Sequence, residues 1–392
     1  MNRHSRVDSP NDAHDAPLVS NAADMHGTRR RDLEYADPNN MNNKGGIFGR
    51  WVDRDRDPIE QRIERRKRGI GRQSRPYVVW ILTVIMVALM IFELVKNYQV
   101  TGFAFAKPAS NPMIGPQSIE LVSLGARFPP CMKFVTDVPP TFQINCANAS
   151  DTNPLPSQIC SIEDICGFGG FPTDTATGLK QPNQWFRFIT PIFLHAGIIH
   201  LLLNMFAQVI LSGQVEKEMG SVGFIILYFA AGIFGNVLGG NFALVGRPSV
   251  GASGAIVGTL AVLWVDLMAH WKLEYKPWIK LIGHIVNLIL VVGLGYVPGV
   301  DNFSHLGGFL MGLICGIILL PIISTTKTHR TIVWVLRIAM IPVAIVLFVV
   351  LIRNFYTGDP SQACSWCRYL SCIPTASNSC SGTGLTVTTV SN

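Results

Sequence analysis

Four side chains capable of acyl-transfer chemistry stand inside stretches that are otherwise apolar. Ser253 lies between Gly251 and Gly254 in SVGASGAIVG, His305 lies in DNFSHLGGFLMG, and His200 and Asn204 lie in HAGIIHLLLNM. An imidazole that reaches a serine hydroxyl takes its proton, and the alkoxide attacks a carbonyl carbon. His200 and Asn204 are four residues apart, share one helix face, and carry N–H groups suited to an oxyanion, joined by the Ser253 backbone N–H. Loss of one such donor costs about 3 to 4 kcal/mol of transition-state stabilisation. Asp301, close to His305 in sequence, reads as a loop or helix-start residue, so the expected arrangement is a Ser253–His305 dyad without a carboxylate. His195, five residues ahead of His200, falls off the His200–Asn204 stripe and supports it from nearer the membrane boundary.

The elements that carry these residues are membrane helices. The chain is 48% hydrophobic and only 15% charged over 392 residues, too apolar for an ordinary soluble enzyme. Seven stretches approach or exceed the roughly 20 apolar residues that cross a hydrocarbon core of about 30 Å: Tyr77–Val95, Phe193–Leu211, Val222–Val245, Val250–Ala269, Trp278–Val297, Phe303–Ile323 and Thr331–Ile352. Their unbroken apolarity lacks the alternation of barrel strands. The expected fold is therefore an all-α polytopic membrane protein, a seven-helix transmembrane bundle. Ionisable groups in such spans are costly and mark a protein interior or a wet cavity.

Depth and packing then constrain the site. Asn204, Ser253 and His305 reach a common level only if the fourth helix starts below the surface, with the GGNFALVGRPSV loop dipping into a cavity where non-helical backbone is tolerated. Gly254 with Gly258, and Gly308 with Gly312, are small-xxx-small pairs that let the fourth and sixth helices approach closely.

Charge sets the orientation. QRIERRKRGIGRQSRP, before the first span, carries Arg62, Arg65, Arg66, Lys67, Arg68, Arg72 and Arg75 against Glu64, which predicts a cytosolic N-terminus. The loops with Lys272, Lys276 and Lys280, and with Lys327, His329 and Arg330, then fall on the same side. The long first loop and the C-terminal tail fall on the other. Of nine cysteines, Cys131, Cys146, Cys160 and Cys166 lie in that loop, Cys364, Cys367, Cys372 and Cys380 in that tail, and Cys315 alone in a span. Two even sets on one side predict disulfides of unspecified pairing, with zinc at Cys364 and Cys367 as the alternative. The sequon at Asn148 lies on that face as well.

The expected organisation is a disordered basic cytosolic tail (1–76), a core (77–323) that includes the first loop (100–184), a further helix (324–353) and a cysteine-containing tail (354–392). The basic cluster before the first span also suits anionic lipid. The first span both targets and anchors, since no apolar core precedes Tyr77. Glu216 and Arg187 are read as structural, because charges at span ends commonly bond loop backbone or snorkel. Packing or capping roles are assigned to Asp266, His270, Asn287 and Arg337.

GASG at 251–254, HAGIIHLLLN, HLGGFLMG, WFR ending at Arg187 and VEKEMG with Glu216 together resemble the rhomboid intramembrane serine proteases, in particular the eukaryotic secretase type with an added C-terminal helix. The resemblance spans about residues 111 to 321. It implies a six-helix core plus one helix, Ser253 as nucleophile, His305 as base, and His200 with Asn204 at the oxyanion hole. His195, Gly251, Gly254, Gly308 and Gly312 are the supporting residues. Where the family often has tyrosine four residues after the serine, this chain has Val257.

The implied function is cleavage of single-pass transmembrane proteins near the extracytoplasmic end of their helix, in a secretory-pathway membrane. Substrate helices and membrane lipid are the expected partners. No nucleic acid, cofactor or metal is called for. An inactive, client-binding relative is the alternative, and the presence of both Ser253 and His305 argues against it. A transporter built from repeated halves with broken helices finds no internal repeat here.

Overall fold

The computed structural model describes residues 58–69, 71–149, 154–296 and 300–358, and in the tail 364, 366–370, 372, 380 and 383–385. The expected N-terminal disorder falls outside the described residues as far as residue 57. Beyond that point the expectation gives way to helix α1, Ile59–Lys67. Its Arg66 makes a two-pronged bond to Asp266, with Nη1 to Oδ1 at 2.9 Å and Nη2 to Oδ2 at 2.7 Å, and also bonds Glu274. Such fork-to-fork pairs are specific as well as strong, and this one fixes a segment whose composition alone reads as solvated.

The chain is an all-α polytopic membrane protein. Helix α2 is Tyr77–Thr101. The first loop then carries short helices α3 (Ser118–Ser123), α4 (Pro129–Met132) and α5 (Ile162–Cys166), with strands β1 (Gln143–Asn145) and β2 (Ile159–Ser161). The membrane helices resume as α6 (Ile198–Ala207), which runs through a π-helical turn at Gln208–Ser212 into α7 (Gly213–Met219). They continue with α8 (Ser221–Phe242), α9 (Ser253–Ala269), α10 (Pro277–Leu294), α11 (Asn302–Leu319) and α12 (Lys327–Thr357). Counting Ile198–Met219 as one, six of these are long and apolar enough to cross a membrane; α9, at 17 residues, is the shorter seventh apolar helix.

The shortening of α9 has a local cause. Residues 249–251 are held away from helical geometry by outside partners: Ser249 and Arg127 exchange backbone hydrogen bonds, each 3.0 Å, and the Gly251 N–H donates to the Pro191 carbonyl at 2.8 Å. Gly251 has φ of +127°, a conformation that disfavours any side chain. The apolar stretch from Phe193 likewise becomes helix only at Ile198. Its first two N–H groups, of Ile198 and Ile199, donate to the carbonyls of Ile114 and Met113, and just ahead of it a β-carbon at Gly197 would overlap the Met113 carbonyl.

The first loop packs around its own small core of Val122, Phe128, Val138, Ile162, Ile165 and Phe171. Strands β1 and β2 pair antiparallel, Ile144 facing Cys160. Disulfides join Cys131 to Cys166 and Cys146 to Cys160. In the tail Cys364 pairs with Cys367 and Cys372 with Cys380, so the disulfide reading of Cys364 and Cys367 takes the place of the zinc alternative. Cys315 is free and buried. Arg187, fully buried, ties this loop to the helices: its guanidinium donates to Gln184 Oε1 and to the carbonyls of Val122, Ala126 and Cys166, at 2.6 to 2.7 Å. Four of its N–H donors are thereby paired, which is how a buried cation is tolerated.

The centre of the molecule is α8, α9 and α11. A β-carbon at Gly308 would overlap the Gly254 carbonyl, one at Gly312 the Gly258 carbonyl, and one at Gly258 the Ala231 side chain, while one at Gly235 would come 2.5 Å from the Ser304 carbonyl. Helix α12 rests on this core through Phe355, buried with Met132, Phe188 and Val237. Helix α10 buries none of its side chains.

Candidate active site

Ser253 is the first residue of α9 and His305 lies in the first turn of α11. The glycine contacts bring these two helix starts together. A β-carbon at Gly254 would already come 3.1 Å from the Ser304 carbonyl. As a result His305 Nε2 lies 2.8 Å from Ser253 Oγ. For the hydroxyl to donate, Nε2 carries the lone pair and the ring proton sits on Nδ1. That Nδ1 is buried and bonds no carboxylate among the described residues, so none orients the ring.

Asp301 is engaged elsewhere. Its Oδ1 accepts from the Phe303 N–H at 2.9 Å, capping α11, and its Oδ2 accepts from Ser304 Oγ at 3.0 Å. The same Oδ2 pairs with Arg127 Nη1 at 2.6 Å, both side chains almost wholly buried. This is the capping role read from the sequence. The Arg127 partner, reached from the first loop, was not foreseen.

On α6, His200 and Asn204 project from one face and are buried. A β-carbon on Gly251 would come 2.8 Å from His200 Cε1, 3.1 Å from its Nε2 and 3.5 Å from Asn204 Nδ2. Both donors therefore flank the backbone that leads into Ser253, and glycine is what leaves them room. His200 Nδ1 accepts from the Ala196 N–H at 3.4 Å, which leaves the ring proton to Nε2, the nitrogen that faces Gly251. Asn204 Nδ2 has no partner among the described residues. Donors held in this way, with no bond to break first, suit charge that develops only in a transition state.

His195 lies ahead of α6, outside the helix that carries His200 and Asn204. It is fully buried, its ring meets that of His200 edge-on with centroids 5.4 Å apart, and its backbone N–H donates to Glu93 Oε1 at 3.2 Å. Glu93 escaped the sequence reading altogether. It sits in the first apolar stretch, whose length and apolarity signal only a span, although a lone carboxylate in such a run is itself a signal. Gly308 and Gly312 lie on the contact face of α11, and Val257 is buried on α9.

Glu216 serves the helix framework. Its carboxylate accepts from the Val78 and Val79 N–H groups at 3.0 and 2.9 Å, from Gln73 Nε2 at 3.0 Å and from Ser221 Oγ at 2.6 Å. Two of those donors are the otherwise unpaired first-turn N–H groups of α2. Asp266 and His270 bond one another at 3.0 Å, and His270 Nε2 accepts from the Ile323 N–H at 2.9 Å. Arg337 Nη2 donates to the Leu320 carbonyl at 2.6 Å. These are structural roles, away from the Ser253 cluster.

Residues 182–322 match the Rhomboid domain, a span that includes every residue of the cluster. The chain is 34% identical over 371 residues to Rhomboid-type serine protease 2 of Emericella nidulans, covering 80% of this chain and 73% of that protein. It is 26% identical over 348 residues to RHOMBOID-like protein 4 of Arabidopsis thaliana, covering 81% and 75% respectively. It is also 30% identical over 228 residues to Inactive rhomboid protein 1 of Papio anubis, covering 58% of this chain and 26% of that much longer protein. The likeness to the fungal protein runs through most of both chains, well beyond the matched domain, and on that ground this integral membrane protein belongs to the rhomboid family.

Proposed function

We propose that this chain is an intramembrane serine endopeptidase that uses Ser253 and His305 as a dyad. The observation that carries the reading is the 2.8 Å contact between His305 Nε2 and Ser253 Oγ, made beside two N–H donors that flank Gly251. His305 takes the hydroxyl proton as Oγ attacks the scissile carbonyl carbon. His200 Nε2–H and Asn204 Nδ2–H donate to the resulting oxyanion. When the tetrahedral intermediate collapses, the carbon–nitrogen bond breaks and His305 passes its proton to the departing amine. A water molecule, deprotonated by the same imidazole, then attacks the acyl-serine ester and restores the free hydroxyl.

The substrates in this reading are single-pass transmembrane proteins, cut near the extracytoplasmic end of their helix. A helical peptide bond is internally hydrogen-bonded and wrapped by its own side chains, so the segment must become extended before Oγ can reach it. Helix-breaking Gly or Pro in the substrate reduces that cost by roughly 1 to 3 kcal/mol each relative to Ala. Disulfides in both the first loop and the tail support placing those segments on the oxidising side of a secretory-pathway membrane, with the N-terminus in the cytosol.

The test is cleavage of a co-reconstituted single-pass substrate in liposomes. Ser253→Ala and His305→Ala, folded to the parent level, should each reduce cleavage by about 10⁴-fold or more. Undiminished cleavage by Ser253→Ala would overturn the dyad. The similarity to an inactive rhomboid protein supports a second reading, a client-binding protein. Capture of single-pass proteins by a parent that cleaves none of them would favour it.

A further inference from the structure

The oxyanion donor His200 is held from behind, and the holding chain of contacts ends on a membrane-buried carboxylate of the first span. The buried residues of α2 are Val79, Leu82, Met86, Met90, Glu93 and Asn97, one stripe at helical spacing that begins apolar and ends polar. Its two polar members do not bond each other. Asn97 holds loop backbone, its Oδ1 accepting from the Gln117 N–H at 3.0 Å and its Nδ2 donating to the Phe103 carbonyl at 2.8 Å. Glu93, wholly buried, accepts from the His195 N–H at 3.2 Å through Oε1, while its Oε2 has no partner among the described residues.

The peptide next to that bond is the one that determines how His200 presents itself. The Ala196 N–H donates to His200 Nδ1 at 3.4 Å, and the Ala196 carbonyl accepts from Asn111 Nδ2 at 2.7 Å. The turn at 195–196 is thus gripped by Glu93 on one residue and by Asn111 on the next. It lies outside the helix that carries His200, since α6 starts at Ile198. Without these grips, neither the Ala196 N–H nor the ring of His195, packed edge-on against His200, is fixed by helical geometry. An imidazole whose Nδ1 loses its donor is free to take the other tautomer or to rotate, and its Nε2 proton is then no longer aimed at Gly251.

We propose that Glu93 is a positioning residue for the oxyanion donor: by holding the His195 N–H from α2, it fixes the Ala196 N–H against His200 Nδ1 and keeps the Nε2 proton directed at the scissile site. This rests on the protease reading for its consequence, but its structural content, the tautomer and orientation of His200, stands independently. It also requires only an acceptor oxygen at the position of Oε1, and no negative charge. The two substitutions that separate these needs are Glu93→Gln, which keeps an acceptor, and Glu93→Met, which fills similar space without one.

The experiment uses the full chain in liposomes and reads three quantities for each variant: kcat and KM on a single-pass substrate, the thermal midpoint, and the imidazole nitrogen resonances of His200 in histidine-labelled protein, assigned with His200→Gln. Glu93→Met should lower kcat by about 10-fold or more, short of full loss of a donor, with KM and the midpoint near the parent's and with His200 no longer predominantly protonated at Nε2. Glu93→Gln should stay close to the parent in all three. Parent-like kcat and tautomer in Glu93→Met would overturn the proposal. So would a fall in kcat that tracks the midpoint while the His200 resonances stay put, which marks a packing role alone. Should Glu93→Met not fold, Glu93→Leu takes its place, and failure of both to fold assigns Glu93 to folding and rejects the proposal. A parent that cleaves nothing but whose His200 resonances shift in Glu93→Met would remove the protease reading and leave the positioning role standing.

Discussion

Glycine does opposite things in two neighbouring helices of this protein. In α11, Gly308 and Gly312 meet the backbone of α9 so closely that a β-carbon at either would overlap a carbonyl oxygen. In α10, Gly283 and Gly293 have nothing beyond their own helix within 4 Å of where a β-carbon would stand. Both helices are apolar and 18 residues long, and each has a composition suited to lipid. The contrast shows that a small residue matters in a membrane helix through what approaches it. Lipid tails are as apolar as leucine, so no hydrophobic gain drives α10 inward, and close packing between helices has to supply the attraction. In α11 that packing sets the separation of Ser253 and His305; in α10 no packed contact of this kind constrains the helix.

The α11 side is further fastened by a buried ion pair, and removing one partner has the largest expected effect. Asp301→Ala strands the Arg127 guanidinium in a site where both side chains are almost wholly buried, and it also deletes the cap of α11. A loss of about 3 to 5 kcal/mol is expected from the unpaired charge, measured as the denaturant midpoint of unfolding in micelles. An unchanged midpoint would mean that the α11 start is held by the glycine contacts alone.

Next in size is Gly308→Ala, which forces α9 and α11 apart by their backbones. Overpacking of this kind costs about 1 to 3 kcal/mol, and activity should fall by more than stability does, because a shift of about 1 Å near the chemistry can cost on the order of 100-fold. Cleavage assayed beside the unfolding midpoint separates the two effects. The smallest effect belongs to Gly283→Ala, where open space surrounds the residue and the helix gains propensity worth about 0.5 to 1 kcal/mol. Activity within about twofold of the parent and equal or higher stability are expected. A loss comparable to that of Gly308→Ala would erase the distinction between the helices.

Much of the framework was legible because it depends on local pattern. Apolar length marks membrane helices without reference to any partner. Asp301 before an apolar helical run reads as a cap, and the glycines of GASGAIVG and HLGGFLMG are spaced to lie on single faces. The places where the reading went astray share one physical cause: their geometry is held by residues far off in the chain. For the apolar stretch at Val250 the depth of the site asks for a late helix start, and Gly251 takes a positive φ there, but the partners that hold it, Arg127 and Pro191 through backbone bonds to Ser249 and Gly251, lie elsewhere in the chain. The stretch at Phe193 becomes helix only at Ile198, after residues 195–197 are engaged by Glu93, Asn111 and the Met113 backbone. Helix α1 forms within a basic segment because Asp266 and Glu274 receive Arg66. Glu93 is hidden from a reading of apolar length because one carboxylate hardly alters the apolarity of a 25-residue helix.

By itself the sequence determined which chemistry is available and on what kind of scaffold. It places Ser253 among glycines, His195, His200, Asn204 and His305 within spans, and even numbers of cysteines in two extramembrane segments. Those are matters of residue type and of spacing within a turn or two, where covalent geometry limits the outcomes. Only the tertiary structure decided that Ser253 and His305, 52 residues apart, stand 2.8 Å from one another. It likewise decided that Cys131 joins Cys166 while Cys146 joins Cys160, and that Glu93 reaches His195 across 102 positions. Distances of that kind come from how helices and loops meet. They arise from contacts between glycine backbones and from buried polar groups that must find partners, and neither is encoded in any one stretch of chain.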